Sequence, residues 1–258
     1  MIDNQILSQA IQCINNADSL LITAGAGMGV DSGLPDFRGD HGFWKAHPSL
    51  KNQGIHYTDI AKPECFDTMP ELAWGFYGQR LNLYRNTEVH SGFRQLLEIG
   101  KSKVAGYFVY TSNVDGHFEK AGFDPNRIVE CHGSINYLQC TCLECVDVGI
   151  WNADSFHPQF KEHDCTLLSN LPRCPQCSEV ARPNILMFSD FFGWNDERLH
   201  YQNERYQKWL ETVKNPVIIE CGAGTTVPTI RKLGEKLTAP LIRINTQEAF
   251  SDKADSIC

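Results

Sequence analysis

The sequence lacks any apolar run approaching the roughly 20 residues that a membrane-spanning helix needs. Its first segment, MIDNQILSQAIQCINNADSL, contains no basic stretch followed by a long apolar one, so it gives no indication of a secretory signal. We therefore expect a cytoplasmic protein without a membrane partner.

Basic residues are fewer than acidic ones. The chain contains 23 Lys and Arg and 31 Asp and Glu, which gives a formal net charge of −8. Nucleic-acid binding relies on clustered Lys and Arg that neutralise phosphates, and no such cluster is visible. We therefore expect no nucleic-acid partner. With 42% hydrophobic and 21% charged residues, the composition of the 258-residue chain is that of an ordinary globular protein.

Five short apolar runs predict the strands of one sheet. Near-continuous apolar character over a few residues is typical of strands that are buried on both faces of a parallel sheet. Helical patterns separate several of the runs, which predicts a doubly wound, Rossmann-like α/β fold with ligands at the carboxyl ends of the strands. The runs are SLLITAGAG (19–27), KVAGYFVYTSN (103–113), RIVECHGS (127–134), NPVIIECGAG (215–224) and APLIRINTQ (239–247).

Two inserts interrupt this alternation. Residues 39–100 contain the helical pattern ELAWGFYGQRLNLYRN and predict a mostly helical module that includes a cofactor loop. Residues 138–182 are rich in cysteine, show little periodicity and predict a small zinc-binding insert. The Rossmann-like domain is then predicted to comprise residues 1–38, 101–137 and 183–258.

The cysteines of the second insert predict a structural Zn²⁺ site. Two C-x-x-C pairs, Cys142/Cys145 and Cys174/Cys177, can present four thiolates in a tetrahedral arrangement. A ligand set made only of sulfur is typical of a closed site that takes no part in catalysis. The alternative is a group of reduced, buried cysteines without metal. Cys140 competes with Cys142 for the first ligand position, and Cys165 is a weaker candidate.

The segment GAGMG after the first strand is a candidate phosphate-binding loop. Glycine allows backbone N–H groups to approach a pyrophosphate at a helix N-terminus. However, Val30 occupies the place of the third glycine of a G-x-G-x-x-G motif, and no clear ribose-binding acid follows on a second strand. On this motif alone, a tight turn without a ligand remains an alternative.

Seven motifs, in this order along the chain, resemble those of the sirtuins, a family of NAD-dependent protein deacylases. The segments GMGVDSGLPDFRG and FYGQRLNLYR also resemble a divergent bacterial branch that includes macrodomain-linked sirtuins. The seven motifs are GAG (25–27), PDFR (35–38), TSNVD (111–115), HG (132–133), the two cysteine pairs, GAGTT (222–226) and IN (244–245).

The resemblance implies NAD as the cofactor and assigns candidate site residues. His132 would act as general base on a ribose hydroxyl, a role that suits the pKa of imidazole, and Asn113 and Asp115 would line the nicotinamide pocket. Cys131 is not expected to form a nucleophilic pair with His132, because neighbours on a strand point to opposite faces. The candidate cofactor-binding residues are Ala24, Gly25, Ala26, Gly27, Asp36, Phe37, Arg38, Ser112, Asn113, Asp115, Gly222, Ala223, Gly224 and Asn245.

The resemblance also implies an acyl-lysine protein or peptide as substrate. Met187 and Phe188 belong to the segment RPNILMFSD, which replaces the family's substrate-pairing segment. Tyr77 and Arg80 match the Tyr-x-x-Arg pair with which some sirtuins bind acidic acyl groups such as succinyl or malonyl, and a guanidinium group suits a carboxylate. The same spacing on a helix also fits simple packing and a surface ion pair.

Departures from the family pattern leave other functions open. Gly29 and Ser112 replace a Ser and a Gln of the family and thereby remove side-chain contacts to NAD. The first alternative is protein ADP-ribosyltransfer or NAD hydrolysis in the same pocket, although the macrodomain-linked group lacks the histidine that His132 matches. The second alternative is a catalytically idle NAD-sensing or interaction module.

Overall fold

The computed structural model describes residues 3–35, 47–52, 54–145, 147–161, 165–253 and 256–257. The strands of this part form two sheets. The first has the order β3-β2-β1-β7-β8-β9, and all its neighbouring strands are parallel; the second has the order β5-β4-β6 and is antiparallel. The strands are β1 (Ser19–Ala24), β2 (Tyr107–Thr111), β3 (Ile128–Glu130), β4 (Gly133–Cys140), β5 (Ile150–Asn152), β6 (Ala181–Ile185), β7 (Pro216–Cys221), β8 (Leu241–Ile244) and β9 (Ser256–Ile257).

The helices vary from single turns to 17 residues. The Asp3 side chain caps the first helix by accepting a hydrogen bond from the Gln5 backbone N–H at 2.8 Å. Within the described ranges, no helix combines the length and the apolar character that crossing a bilayer requires. The α-helices are α1 (Asn4–Asn16), α2 (Pro48–Asn52), α3 (Tyr57–Ile60), α4 (Cys65–Thr68), α5 (Pro70–Asn86), α6 (Ser91–Ser102), α7 (His117–Lys120), α8 (Glu197–Leu210) and α9 (Thr229–Lys236).

The predicted doubly wound parallel sheet is confirmed. Each of the five apolar runs contains one strand of the large sheet, and β1 is buried along its whole length. Leu20 and Ile22 pack into a core on one face of the sheet with Phe93 of α6, whereas Leu21 packs on the other face with Trp209 of α8. Burial on both faces explains why the strands are continuously apolar rather than alternating.

The three-stranded sheet and the short helices share a separate core. Trp74, Phe76 and Tyr77 of α5 are fully buried there beside Ile135 and Leu138 of β4. The indole N–H of Trp74 donates a 2.7 Å hydrogen bond to the carbonyl of Ala181 at the start of β6. Helices α2 to α5 and the cysteine-rich segment therefore form one small unit, although they are separated in sequence.

The domain bounds given above stay a prediction, and two features of the packing bear on them. Helix α6 lies within the predicted helical module, yet it packs against β1 and β2 of the large sheet. The antiparallel sheet begins at Gly133, before the predicted start of the zinc-binding insert at 138.

Gly133 lies where the chain leaves the large sheet for the small one. Its φ is +78°, and a Cβ atom at this position would lie 2.1 Å from the Asn184 carbonyl oxygen of β6. Only glycine meets both the conformational and the steric requirement. This turn holds His132 at the junction, since the His132 carbonyl accepts a 2.9 Å hydrogen bond from the Leu186 N–H.

Candidate active site

A cavity of about 490 Å³ lies at the carboxyl ends of the parallel strands, between the two units. This volume falls within the range of about 300–1,000 Å³ that is typical of ligand pockets. The lining residues are Gly25, Ala26, Leu34, Pro35, Tyr57, Thr58, Tyr84, Ser112, Asn113, Val114, Asp115, His132, Phe188, Gly222, Ala223, Gly224, Thr226, Val227, Ile230 and Glu248.

The cavity follows the edge of the sheet across five neighbouring strands. Its lining begins after β3 at His132, continues after β2 and β1, and ends after β7 and β8 at Glu248. With about 4.8 Å between neighbouring strands, the first and last of these strand ends lie about 19 Å apart. The strand order reverses between β1 and β7, which is the position where doubly wound sheets bind dinucleotides. The cavity therefore fits an extended dinucleotide in both length and location.

Two glycine loops meet at this reversal point. A Cβ atom on Gly222, whose φ is +61°, would lie 2.3 Å from the backbone of Gly27 and Met28. The backbone N–H of Gly27 donates a 3.0 Å hydrogen bond to the Gly222 carbonyl and locks the loops together. The sequence GAG, which occurs in both loops, therefore permits this close contact. It also leaves backbone atoms, rather than large side chains, on the cavity wall.

Eight of the predicted cofactor-binding residues line the cavity, namely Gly25, Ala26, Ser112, Asn113, Asp115, Gly222, Ala223 and Gly224. Ala24 and Gly27 lie behind the wall, where the Ala24 carbonyl accepts hydrogen bonds from the Ser112 N–H and the Thr111 hydroxyl. Asp36, Phe37 and Arg38 lie outside the described residues.

Asn113 and Asp115 are fixed by the backbone around them. The Asn113 side-chain amide donates a 3.0 Å hydrogen bond to the Gly25 carbonyl, which joins the loops after β1 and β2. Asp115 accepts a 2.9 Å hydrogen bond from the His117 N–H. Burial raises the pKa of the Asp115 carboxyl, and the charges of His117 and Arg80 oppose this rise.

His132 occupies the end of the cavity next to the small unit. Burial lowers the pKa of its imidazole, whereas a hydrogen bond with the Ser112 backbone opposes this effect. Its Nε2 atom lies 3.5 Å from the hydroxyl of Thr229, the first residue of α9. An imidazole that is mostly neutral at pH 7 can accept a proton from a ligand hydroxyl.

Cys131 lies in the core on the other side of the strand from His132. Its side chain packs with Val129 and Phe108 in a hydrophobic cluster, and burial raises the pKa of the thiol to about 12. A protonated thiol without access to the cavity is not a nucleophile.

The far end of the cavity involves Asn245, which the motifs predicted, and Glu248, which they did not. The Asn245 side-chain amide donates a hydrogen bond to the Ala223 carbonyl at 3.0 Å, and its oxygen accepts one from the Glu248 N–H at 2.9 Å. Asn245 thus supports the wall, and Glu248 is the residue that lines it. The Glu248 carboxylate accepts hydrogen bonds from the Thr225 N–H and hydroxyl at 3.2 and 2.6 Å. The only available sequence signal was an acid shortly after a strand end.

The predicted substrate-binding residues are divided between the cavity wall and the core. Phe188 lines the cavity and packs edge-on against Tyr57 with ring centroids 5.6 Å apart, whereas Met187 is buried in the small core. Tyr77 and Arg80 are both buried and do not reach the wall.

Arg80 lies directly behind a residue of the cavity wall. Its guanidinium group donates hydrogen bonds of 3.1 and 2.8 Å to the Tyr84 hydroxyl, and Tyr84 lines the cavity. The sequence did not single out Tyr57, Thr58 or Tyr84, because helix residues that face a cavity look like core residues in the sequence.

Four cysteines of the small unit form a compact cluster, consisting of Cys140, Cys145, Cys174 and Cys177. Their sulfur atoms all lie within 4.8 Å of one another, and two pairs are separated by 3.4 and 3.6 Å. Tetrahedral Zn–S bonds of 2.3 Å place sulfur atoms about 3.8 Å apart, so the cluster fits Zn²⁺. Although burial opposes ionisation, backbone N–H groups of Cys177 and Gln176 lower the pKa of the Cys174 thiol to about 7, which favours thiolate ligation.

The cluster differs from the predicted ligand set in one residue. Cys140, the alternative first ligand of the sequence analysis, takes the place of Cys142 in the cluster. As the last residue of β4, Cys140 pairs with Ala181 of β6, and this pairing brings its sulfur to Cys177. The Cys142 N–H donates to the Cys140 sulfur at 3.3 Å, so Cys142 forms part of the turn. Strand pairing, rather than the spacing of the C-x-x-C pair, therefore selects the first cysteine.

The family model of the Sir2 family matches residues 25–213. This range includes the first glycine loop, His132 and the cysteine cluster. The chain belongs to the Sir2 family. The matched range therefore includes residues of the doubly wound sheet, of the small unit and of the cavity between them.

Among similar curated proteins, an "NAD-dependent protein deacylase" of Thermococcus sibiricus is 28% identical over 185 residues, which cover 72% of this chain and 66% of that protein. A protein of the same name from Leptospira interrogans is 25% identical over 234 residues, which cover 90% of this chain and 83% of that protein. The matched part thus spans slightly less than two thirds of the archaeal relative.

Solved structures show the same fold at low sequence identity. A structure entitled "Crystal structure of a Sir2 homolog-NAD complex" superposes with a TM-score of 0.66 at 23% identity, covering 99% of this chain and 88% of that one. A "Sir2-p53 peptide-NAD+" structure gives a TM-score of 0.67 at 18% identity and covers 97% and 91% of the two chains.

Proposed function

We propose that this Sir2-family chain is an NAD-dependent protein-lysine deacylase. The observation that carries the proposal is the cavity, in which His132 lies at one end of a site that fits a dinucleotide. Relatives named NAD-dependent protein deacylase, and Sir2 structures described as NAD and peptide complexes, support the same activity. In this reaction NAD supplies the ADP-ribosyl group that accepts the acyl group, and nicotinamide is released.

The glycine loops after β1 and β7 would hold the pyrophosphate. Both present backbone to the cavity at the reversal point of the sheet, where a side chain on Gly25 or Gly222 would clash with the opposite loop. The segment around Glu248 would hold the adenosine ribose, because a carboxylate accepts hydrogen bonds from ribose hydroxyls. Asn113 and Asp115 would line the nicotinamide end.

His132 would act as the general base on a ribose hydroxyl. Its Nε2 atom is within reach of the Thr229 hydroxyl, so the same lone pair can accept a hydrogen bond from a ligand hydroxyl at this position. Phe188 and Tyr57 would exclude water from this end of the cavity and contact the acyl-lysine side chain.

The four-cysteine cluster would hold one structural Zn²⁺. It lies in the small unit, and none of its cysteines lines the cavity. Zinc there would join the segment at the end of β4 to the segment before β6 without contacting the substrate. The need for reduced thiolates agrees with the cytoplasmic location predicted from the sequence.

The test is product analysis with NAD and a panel of acetyl-, succinyl- and longer acyl-lysine peptides. Wild-type protein should release nicotinamide, deacylated peptide and acyl-ADP-ribose. His132→Ala should reduce deacylation by roughly two to four orders of magnitude, the usual contribution of a positioned general base, and leave NAD affinity nearly unchanged.

His200→Ala is the matched control, because the His200 side chain is exposed on α8 and its Nε2 atom lies 3.2 Å from the Glu204 carboxylate of the same helix. It should retain wild-type activity. ADP-ribosylated protein or free ADP-ribose as the main product, with no deacylated peptide, would replace the proposal by the first alternative. NAD binding without any nicotinamide release would replace it by the NAD-sensing module.

A further inference from the structure

Two consecutive phenylalanines, three and four residues after Phe188 of the cavity wall, are exposed to solvent. Phe191 is 80% and Phe192 is 92% exposed, and their ring centroids lie 6.5 Å apart. Apolar surface of this size is unfavourable in water unless something covers it, so paired exposed aromatics indicate a contact surface.

The exposure of this pair is built into the fold, because buried polar side chains hold the residues on either side. Before the pair, Asp190 forms a 2.6 Å ion pair with Arg182 of β6, and both side chains are almost completely buried. After the pair, the Gly193 carbonyl accepts a 2.6 Å hydrogen bond from the Gln139 side chain of β4.

The backbone makes a tight turn at the first of these anchors. Ser189 has a φ of +60°, and its carbonyl accepts a 3.0 Å hydrogen bond from the Phe191 N–H. Farther along, the Asn195 carbonyl accepts a 2.8 Å hydrogen bond from the Asn184 side chain of β6. The turn is thus fixed to the small sheet at several points, which holds the backbone of Phe191 and Phe192 at the surface.

The exposed pair follows a residue of the cavity wall closely in the chain. Phe188, which lines the cavity and is itself 39% exposed, precedes Phe191 by three residues. At no more than about 3.6 Å per residue, Phe191 and Phe192 lie within roughly 11 and 14 Å of Phe188 along the chain. The side chain of Leu143, 66% exposed, lies beside Gly193 and extends the apolar surface on the other side.

We propose that Phe191 and Phe192 form a docking platform for an apolar side chain of the acylated protein substrate. This inference rests on the proposed function and adds a sequence preference to it. Phenyl rings offer neither charge nor hydrogen-bonding groups, so the platform selects an apolar residue. Rigid aromatic rings also lose little conformational entropy on contact. From the distance to Phe188, the selected residue lies within about four positions of the acyl-lysine.

The experiment uses acetyl- and succinyl-lysine peptides in a Gly/Ser host, with one Phe placed in turn at each position from −4 to +4. Fluorescence anisotropy without NAD gives peptide affinity, and turnover with NAD gives kcat and KM. For wild-type protein we expect one or two positions at which Phe improves affinity about tenfold over Ser, as for a side chain buried at an interface hot spot.

Phe191→Ser and Phe192→Ser, singly and together, should abolish this gain by raising Kd and KM for the Phe-containing peptides. They should leave kcat, and the affinity for the peptide without Phe, unchanged, because the rings lie outside the cavity. Phe250→Ser is the matched control, since Phe250 is 73% exposed on the segment after β8. It should preserve the gain.

Three results would overturn the inference. The first is a wild-type protein with no preferred position, and the second is a gain that persists in the double variant. The third is a dimeric wild-type protein whose double variant is monomeric and binds every peptide equally well. This result would show that a second copy of the chain covers the rings. A protein that binds the Phe-containing peptides more tightly but deacylates no acyl-lysine would contradict only the proposed deacylase activity.

Discussion

His132 is the residue whose protonation controls the proposed chemistry, and its surroundings set the expected pH dependence. A general base must be unprotonated, so activity should be lost as pH falls through the His132 pKa. Because burial lowers this pKa below the ordinary value of 6.5, the acid limb of kcat/KM should lie below pH 6.5. A pH profile from 5 to 8 with a slowly reacting peptide measures it directly.

The control for this profile is NAD affinity over the same pH range, which separates binding from chemistry. An acid limb above pH 7 that disappears in His132→Ala would contradict the lowered pKa. An identical limb in wild type and variant would assign the titration to another group.

Arg80 is the residue on which the acidic-acyl prediction depends. It lies behind Tyr84, so a substrate carboxylate must displace or share the Tyr84 hydroxyl to reach the guanidinium. If a substrate carboxylate reached Arg80, the charge-assisted pair would favour succinyl- over acetyl-lysine by about ten- to a hundredfold. Arg80→Met removes the charge and keeps most of the packing volume; it should lower kcat/KM for succinyl peptides and spare acetyl peptides.

Tyr84→Phe provides the matched comparison, because it removes only the hydroxyl that Arg80 binds. If Arg80 reaches the substrate, this variant should improve succinyl turnover relative to acetyl. Equal losses on both substrates in Arg80→Met would show that Arg80 supports the core only. A wild-type preference for neutral acyl groups would contradict the acidic-acyl prediction itself.

At the level of single elements, the pairing of β4 with β6 decides which cysteine joins the cluster that would bind Zn²⁺. Cys140 and Cys142 are two residues apart, and only Cys140 belongs to the cluster. We expect Cys140→Ser to lose Zn²⁺ and to lower the unfolding temperature, because metal binding is coupled to folding. Cys142→Ser should retain about one Zn²⁺ per chain. Elemental analysis together with thermal unfolding checks both.

The two variants control for each other, since each replaces one thiol in the same short turn. Loss of metal from Cys142→Ser but not from Cys140→Ser would favour the ligand set predicted from the two C-x-x-C pairs. Absence of metal from wild-type protein purified without chelators would contradict a structural zinc site altogether.

At the scale of the whole molecule, the cavity is assembled from the ends of five strands and from the small unit. A ligand that contacts all of them should stabilise the folded chain. At a concentration of 100 times its Kd, NAD should add about 2.7 kcal/mol to the free energy of unfolding. For a chain of this size, this corresponds to a rise in the unfolding temperature of roughly 5–10 °C.

Differential scanning fluorimetry with NAD, ADP-ribose and nicotinamide separates the contributions of the strand ends. ADP-ribose should retain most of the stabilisation, because it spans the glycine loops and the Glu248 end. Nicotinamide alone should give little at the same concentration. No shift at millimolar NAD would contradict a dinucleotide site in this cavity.

The amino-acid sequence was sufficient to predict the large sheet and most of one cavity wall. Strands such as β1 are buried on both faces and therefore carry an unbroken apolar signal that needs no knowledge of the partner strands. Glycines and polar residues that follow these strands are predicted to lie close together, since parallel strands present their carboxyl ends at one edge of the sheet. This pattern places His132, Asn113 and the loops at Gly25 and Gly222 at strand ends, whereas the roles of His132 and Asn113 came from the resemblance to the sirtuins.

Features that depend on contacts between distant segments became evident only in the folded chain. Cys140 replaces Cys142 because β4 pairs with β6, and no local spacing contains that information. Tyr84 separates Arg80 from the cavity because α5 packs against the small sheet, although the helical pattern treats both residues alike. The exposure of Phe191 and Phe192 follows from buried contacts made by Arg182 and Gln139. Apolar residues normally enter a core, so their sequence alone predicts burial, and anchors elsewhere in the chain reverse that outcome.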